Sequence, residues 1–248
     1  MARFKLKATN KWLIVLVFAL LIVGLVWYFA SSRKGPIPIA DTHVINMDKS
    51  RDRLAEIQAA AKQANLPLIR WPAVDGTTIK EDDVRQHKVS KLITRHTAEK
   101  KQPGVIGCFL SHKTLLKHLE TRSASKSDAH LILEDDAAIP ADFWEQWNKF
   151  SASVPADWDI VQIGVTFPNL KPLQGRLHTH SESRGNVGAF AYLVKHESLP
   201  KINAHLEYMY DPIDVMLRNK QNEWKIYFAW PEICPHNDHG NSTIVVKK

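Results

Sequence analysis

Two hydrophobic rhythms divide the chain. Residues 12–30 (WLIVLVFALLIVGLVWYFA) form a 19-residue stretch without a charge. As a helix rising about 1.5 Å per residue it would span roughly 28 Å, close to the hydrocarbon thickness of a bilayer. Trp12, Trp27 and Tyr28 stand at its ends, where aromatic side chains favour the membrane interface. A cleaved signal peptide would have a shorter apolar core and a small-x-small site, and Tyr28 occupies the position two before Ala30. The run therefore reads as an uncleaved transmembrane helix.

Beyond a short stalk (SSRKGPIP), short apolar runs alternate with helical spacing. Residues 42–47 (THVINM) predict a first strand, and Ser50 can cap a helix in which Leu54, Ile57, Ala61 and Ala64 recur on one face. Pro67 ends it, and residues 68–74 (LIRWPAV) predict a second strand stopped by Asp75-Gly76. This β-α-β order implies a parallel pair with a right-handed crossover. Residues 77–102 read as a polar insertion with one helical turn near 81–86. Pro103-Gly104 opens a strong helix with Val105, Cys108, Phe109, His112, Leu115, Leu116 and Leu119 on its periodic face. A short strand over 129–133 (AHLIL) ends in Glu134-Asp135-Asp136, and a Trp-rich helix follows over 143–150. Strands are expected over 158–165, 186–194 and 225–230, helices over 196–205 and 211–219, and a long polar loop over 169–185. The alternation predicts an open, mostly parallel α/β sheet, whose ligands bind beyond the carboxyl ends of the strands.

Charge narrows the class of function. The 248 residues are 44% hydrophobic and 24% charged, an ordinary globular balance. Residues 1–34 hold Arg3, Lys5, Lys7, Lys11, Arg33 and Lys34 and no acid, which is +6 of the net +7. The remainder, 35–248, is almost neutral, so the basic pI belongs to the anchor and nothing in the balance points to nucleic acid. The expected organisation is a tail and anchor over 1–34 and one domain over 35–248. Two cysteines, Cys108 and Cys234, exclude a disulfide framework and a Cys₄ zinc site. They either pair or remain as small buried thiols.

The acidic triplet is the first sign of chemistry. Three adjacent carboxylates at a strand end repel one another unless a cation answers them. A hard ion such as Mg²⁺ or Mn²⁺, bound through one or two carboxylates and phosphate oxygens, suits this arrangement and would neutralise a diphosphate leaving group. Strand alternation would put Glu134 and Asp136 on one side and Asp135 on the other. A solvated acidic turn ahead of the next helix is the alternative.

The triplet has company. Val44-Ile45-Asn46-Met47-Asp48-Lys49-Ser50-Arg51-Asp52-Arg53, Ala73-Val74-Asp75-Gly76, Gly107-Cys108-Phe109-Leu110-Ser111-His112 and Leu133-Glu134-Asp135-Asp136 together resemble glycosyltransferase family 25 in order and spacing. That family includes bacterial lipooligosaccharide β-galactosyltransferases and relatives of the collagen galactosyltransferases. The resemblance covers roughly residues 42–245. It implies a GT-A-like nucleotide-sugar-binding sheet with flanking helices, here preceded by one transmembrane helix, and a divalent ion at a DxD-type motif, for which Asp135 and Asp136 are the matching metal ligands.

Carried over residue by residue, the resemblance sets Asn46, Asp48 and Arg53 beside the nucleotide, with Arg53 on phosphate or paired with Asp48, Asp52 or Glu56. Asp75 and Gly76 would close the uridine pocket or form a plain turn. Ser111 and His112 would touch sugar hydroxyls or lie buried and satisfied, and Glu134 would join the donor site. Tyr210-Asp211-Pro212-Ile213-Asp214 resembles an acidic stretch of the family. Asp214, or else Asp211, is the base that an inverting transfer requires, unless both merely cap a helix. A tail with His236, Asp238, His239 and Ser242 would fold over the diphosphate or form a polar surface, and Asn241-Ser242-Thr243 is a glycosylation sequon.

The function implied is transfer of a hexose, galactose first, from a UDP-sugar to a glycan or glycolipid acceptor such as lipooligosaccharide, with Mn²⁺ or Mg²⁺. A glycan-binding or assembly module and a metal-dependent phosphohydrolase are the alternatives. The anchor would hold the enzyme at a membrane-borne acceptor. The bacterial inner membrane is the favoured location and a Golgi-type membrane the alternative. The flanking charges place the domain outside the cytoplasm, whereas a bacterial donor pool is cytosolic.

Overall fold

The computed structural model describes residues 15–19, 35–86, 88–90, 103–166, 168–181 and 188–237. The chain divides into two units, Met1–Gly35 and Pro36–Lys248. In the first, residues 15–19 are helical and Val15, Leu16, Val17 and Phe18 are exposed. Among the described residues no helix is long and apolar enough to cross a membrane. Most of the apolar run at 12–30 lies outside them, as do the sequon, Asp238, His239 and Ser242.

The second unit is built on one eight-stranded sheet. Its strands are β1 (Ile39–Asn46), β2 (Ile69–Pro72), β3 (Ala129–Glu134), β4 (Ile160–Gln162), β5 (Leu170–Gln174), β6 (Leu177–His180), β7 (Ala191–Lys195) and β8 (Ile226–Ala229). The spatial order is β2-β1-β3-β7-β4-β8-β6-β5. β1 pairs in parallel with both β2 and β3, as the β-α-β reading expects, and β4 with β8. β7 runs antiparallel between β3 and β4, and β6 runs antiparallel to both β5 and β8. The sheet is therefore mixed, not mostly parallel. The expected polar loop at 169–185 contains the hairpin of β5 and β6, an outer element with exposed side chains and Pro172 at the sheet edge, where a missing N–H is tolerated.

The helices are α1 (Arg51–Gln63), α2 (Glu81–Gln86), α3 (Gly104–Glu120), α4 (Phe143–Ser151), α5 (Leu199–His205) and α6 (Ile213–Arg218). α1 stops before Pro67 in a Schellman arrangement. Asn65 adopts φ 51°, its N–H donates to Lys62 O, and Leu66 N–H donates to Ala61 O at 2.8 Å.

Strand alternation feeds two cores. Ile132 and Tyr192 point to one face with Phe109, Leu116, Ile202 and Met216 from α3, α5 and α6. Leu131, Leu133 and Leu193 point to the other with Ile57 and Ala61 of α1 and Phe143, Trp147 and Phe150 of α4. Both faces of the central strands are covered, so β3 and β7 are apolar almost throughout. The carboxyl ends of β1, β2 and β3 emerge together at one edge, and a cleft opens there.

Candidate active site

Asn46, the last residue of β1, organises the base of the cleft. It is 2% exposed and fully engaged. Its Nδ2 donates to Asp135 Oδ2 at 2.6 Å and to Ser50 O at 2.9 Å, and its Oδ1 accepts from Arg70 Nε at 3.0 Å. Arg70 also pairs with Asp48, which points outward. Arg53, on the first turn of α1, reaches Asp135 Oδ1 at 3.1 Å and Ser50 Oγ at 3.2 Å. Its partner is thus across the sheet and not Asp48, Asp52 or Glu56.

The loop after β2 forms the opposite wall. Asp75 caps the short 3₁₀ turn Gly76–Thr78 by accepting from Thr77 N–H at 3.0 Å, and Lys49 Nζ lies 2.9 Å from its other oxygen. These bonds, the Thr77 side chain first, hold its carboxyl down at about 2. The loop rides directly on α3. A Cβ at Gly107 would sit 2.5 Å from Val74 O, and one at Gly76 would sit 1.9 Å from Pro103 O. Ser111 Oγ accepts from Val74 N–H at 2.8 Å and donates to Gly107 O at 2.7 Å. The reason for small residues at 76 and 107 is this backbone contact.

The floor is a buried polar cluster. His112, fully buried on α3, sets Nε2 at 3.1 Å from Glu134 Oε1 and Nδ1 at 2.9 Å from Tyr192 Oη. Cys108, one turn earlier, places Sγ 3.8 Å from the same Glu134 oxygen. Burial works to raise the Glu134 carboxyl, but His112, Cys108 and Arg53 outweigh it and hold it below its ordinary range. The Cys108 thiol moves the other way, raised by burial and then by the charges of Glu134, Asp214 and Asp136. Both cysteines are free, and Cys234 lies wholly in the core.

Asp136 differs from its neighbours. One oxygen lies 3.4 Å from His236 Nε2, and Oδ1 is buried with no hydrogen-bond partner among the described residues. Burial, then the charge of Glu134, raises its carboxyl to about 6. Asp214 accepts from Gly188 N–H at 3.2 Å and from Val215 N–H at 2.9 Å at the start of α6. Asp211 is half-buried in the turn before it.

The cleft spans about 600 Å³ of empty space, part of it open solvent. Of the residues singled out in the sequence, Arg53, Asp75, Gly76, Ser111, His112, Glu134 and Asp135 line it. Asn46 braces it from beneath, whereas Asp48, Asp136, Asp211 and Asp214 are not among its lining side chains. The sequence reading omitted Lys49, Arg70 and Tyr192. Lys49 lay within the quoted motif with no role assigned, and Arg70 and Tyr192 sat inside strands and carried no local signal.

An eight-stranded mixed sheet with flanking helices and an acidic strand end opening into a cleft fits a GT-A-like fold. Residues 39–217 match the family model described as glycosyltransferase family 25 (LPS biosynthesis protein), and the chain belongs to that family. It is 24% identical over 66% of its length to a procollagen lysyl hydroxylase and glycosyltransferase of Acanthamoeba polyphaga mimivirus, covering 19% of that protein. It is 24% identical over 49% of its length to human procollagen galactosyltransferase 2, covering 20% of it. A glycosyltransferase 25 family member of Aedes aegypti is 26% identical over 53% of the chain, which covers 22% of that protein. The chain thus spans about a fifth of the length of these curated relatives.

Proposed function

We propose that the protein transfers a hexose, galactose in the first instance, from a UDP-sugar to a glycan or lipooligosaccharide acceptor, assisted by Mn²⁺ or Mg²⁺. The observation that carries this reading is the acidic strand end at the cleft. Asp135 is neutralised from within by Arg53 and Asn46, while Asp136 keeps a buried oxygen without a partner among the described residues and a carboxyl raised by its burial and then by the charge of Glu134. Such a pair of hard oxygen donors fits a divalent cation. Asp136 and Glu134 would hold it, with Asp135 keeping the turn in place. When bound, the ion supplies charge neutralisation for a departing diphosphate.

The protein's own groups do the rest. Lys49 and Arg53 line the cleft as cations for the phosphates. The Asp75–Thr77 turn and the β1 end form opposite walls for the nucleoside. Asp214 is the first choice for the base that takes the acceptor hydroxyl proton, and Asp211 the second. Residues 12–30 serve as the membrane anchor, with the bacterial inner membrane as the location.

The test uses the full-length chain in detergent. Isothermal titration with UDP should show binding that requires Mn²⁺ and is lost in Asp136→Asn, and a screen of UDP-hexoses with a membrane extract should release UDP. Equal UDP affinity in the presence of chelator would remove the metal from the reading. Hydrolysis of phosphate esters without any acceptor requirement would replace transfer by a phosphohydrolase.

A further inference from the structure

The floor of the cleft holds a second donor set of different chemistry. Cys108 Sγ, His112 Nε2 and a Glu134 carboxylate oxygen all lie within 4.8 Å of one another. From these positions we propose that Cys108, His112 and Glu134 form a three-ligand site for a zinc-type ion, with its fourth position open to the cleft.

Three structural features support it. Cys108 and His112 are four residues apart on α3, so both side chains leave the same helix face. Glu134 comes from the end of β3, so two rigid elements fix the ligands. Zinc bond lengths of about 2.3 Å to sulfur and 2.0–2.2 Å to nitrogen and oxygen give tetrahedral edges of roughly 3.4–3.6 Å. The observed 3.8 Å from Sγ to Oε1 and 3.1 Å from Nε2 to Oε1 bracket those edges. The second feature is the support behind His112. Its Nδ1 faces Tyr192 Oη at 2.9 Å, the outer-shell partner that a ligating imidazole requires. The third is access, since all three residues line the cleft.

Thiolate and imidazole select zinc over Mg²⁺ or Mn²⁺, so this set is distinct from the hard-oxygen pair at Asp136, with Glu134 common to both. On binding, the Cys108 S–H bond breaks, its proton passes to solvent and the Sγ–metal bond forms. His112 shifts its proton from Nε2 to Nδ1, whose N–H then donates a hydrogen bond to Tyr192 Oη. Glu134 remains an anion. One proton leaves per ion bound. The site stands on these four side chains and does not depend on the transferase reading.

The experiment titrates full-length protein, reduced and stripped of metal, with Cd²⁺ and with Co²⁺. Cd²⁺ should produce an ultraviolet thiolate charge-transfer band saturating at one ion per chain, and Co²⁺ should give the intense visible bands of four-coordinate cobalt. Cys108→Ser should abolish the Cd²⁺ band and Cys234→Ala should retain it, each variant checked for folding by circular dichroism. Tyr192→Phe should weaken Cd²⁺ binding by about 10-fold. A folded wild-type chain that shows no thiolate band, or only the weak spectrum of six-coordinate Co²⁺, overturns the site. So does a band that survives in Cys108→Ser.

Discussion

The guanidinium of Arg53 lies 3.1 Å from Asp135, joining the first turn of α1 to the turn after β3 across the mouth of β1. Asn46 takes the other Asp135 oxygen from β1 itself. The middle acid of the triplet is thereby committed to the scaffold, and Glu134 and Asp136 are left on either side of it. Asp135 is a positioning residue in this arrangement.

Breaking that pair should be costly. Arg53 and Asp135 are 16% and 7% exposed, so Arg53→Ala strands a buried carboxylate and should lower stability by about 3–5 kcal/mol. Urea unfolding of Arg53→Ala, Asp135→Leu and the double variant provides the check. The double variant should lose less than the sum of the singles. Strict additivity would show that the two side chains are not coupled.

A pH dependence follows from the far end of β1. Asp41, 7% exposed, accepts from His130 Nδ1 at 2.7 Å, lies 3.4 Å from His43 Nε2 and pairs with Arg122 at 3.1 Å. Burial works to raise its carboxyl, but the His130 hydrogen bond and the nearby His43 imidazole prevail and hold it well below the usual carboxylate range. A carboxyl depressed by folding confers stability that is complete above its unfolded value, about 3.9, and is lost as the pH falls through the folded one. Asp41→Asn should therefore be less stable than wild type by about 3 kcal/mol at pH 7, and the gap should close in acid below about pH 4. Thermal unfolding at neutral and acid pH measures both. A gap that persists unchanged in acid would assign the loss to packing and not to charge.

Much of this site was legible because its motifs fall at strand and helix ends. The apolar run before Glu134 announced β3, and the spacing of Cys108, Ser111 and His112 announced one face of α3. What was hidden is long-range. Arg53 has three acids close in sequence, yet its partner is 82 positions away, and local spacing cannot rank a contact made through sheet topology. β7 is buried at all five positions, the same pattern a parallel strand gives, so its antiparallel direction leaves no local trace. The β5–β6 hairpin escaped for the opposite reason. Its first strand, Leu170–Gln174, buries no side chain, and only the turn at Gly175, with φ 55°, marks it.

Arg176 ties that hairpin to the chain segment leading to His236. Its side chain donates to Pro231 O, to Glu232 O at 2.9 Å and to Gln146 Oε1 at 2.9 Å. Arg176→Ala leaves the central sheet untouched, so global stability should fall by only about 1–2 kcal/mol. Amide hydrogen exchange should instead accelerate at Ile233 and Cys234, whose N–H groups both donate to Ile163 O at 2.9 Å. Exchange that speeds up equally in β3 would mean that the segment does not open on its own.

The contact between α3 and the loop after β2 offers a test in which bulk and hydrogen bonding separate. At Gly107 an added methyl would meet Val74 O at 2.5 Å and Gly76 N at 2.7 Å, both backbone atoms that yield only if the loop moves. Gly107→Ala should cost about 1–3 kcal/mol through overpacking, partly offset by the better helix propensity of Ala. It should also shift Asp75 and Gly76 away from the cleft and weaken UDP binding. Ser111→Ala removes the acceptor of Val74 N–H without adding volume, so it should cost about 1–3 kcal/mol for the stranded donor. The loop should then stay close to its place and UDP affinity should change far less. Comparing unfolding and UDP titration for the two variants distinguishes a wall set by steric fit from one set by the Ser111 bond. If Gly107→Ala binds UDP as wild type does, residues 75–76 are not part of the nucleotide wall.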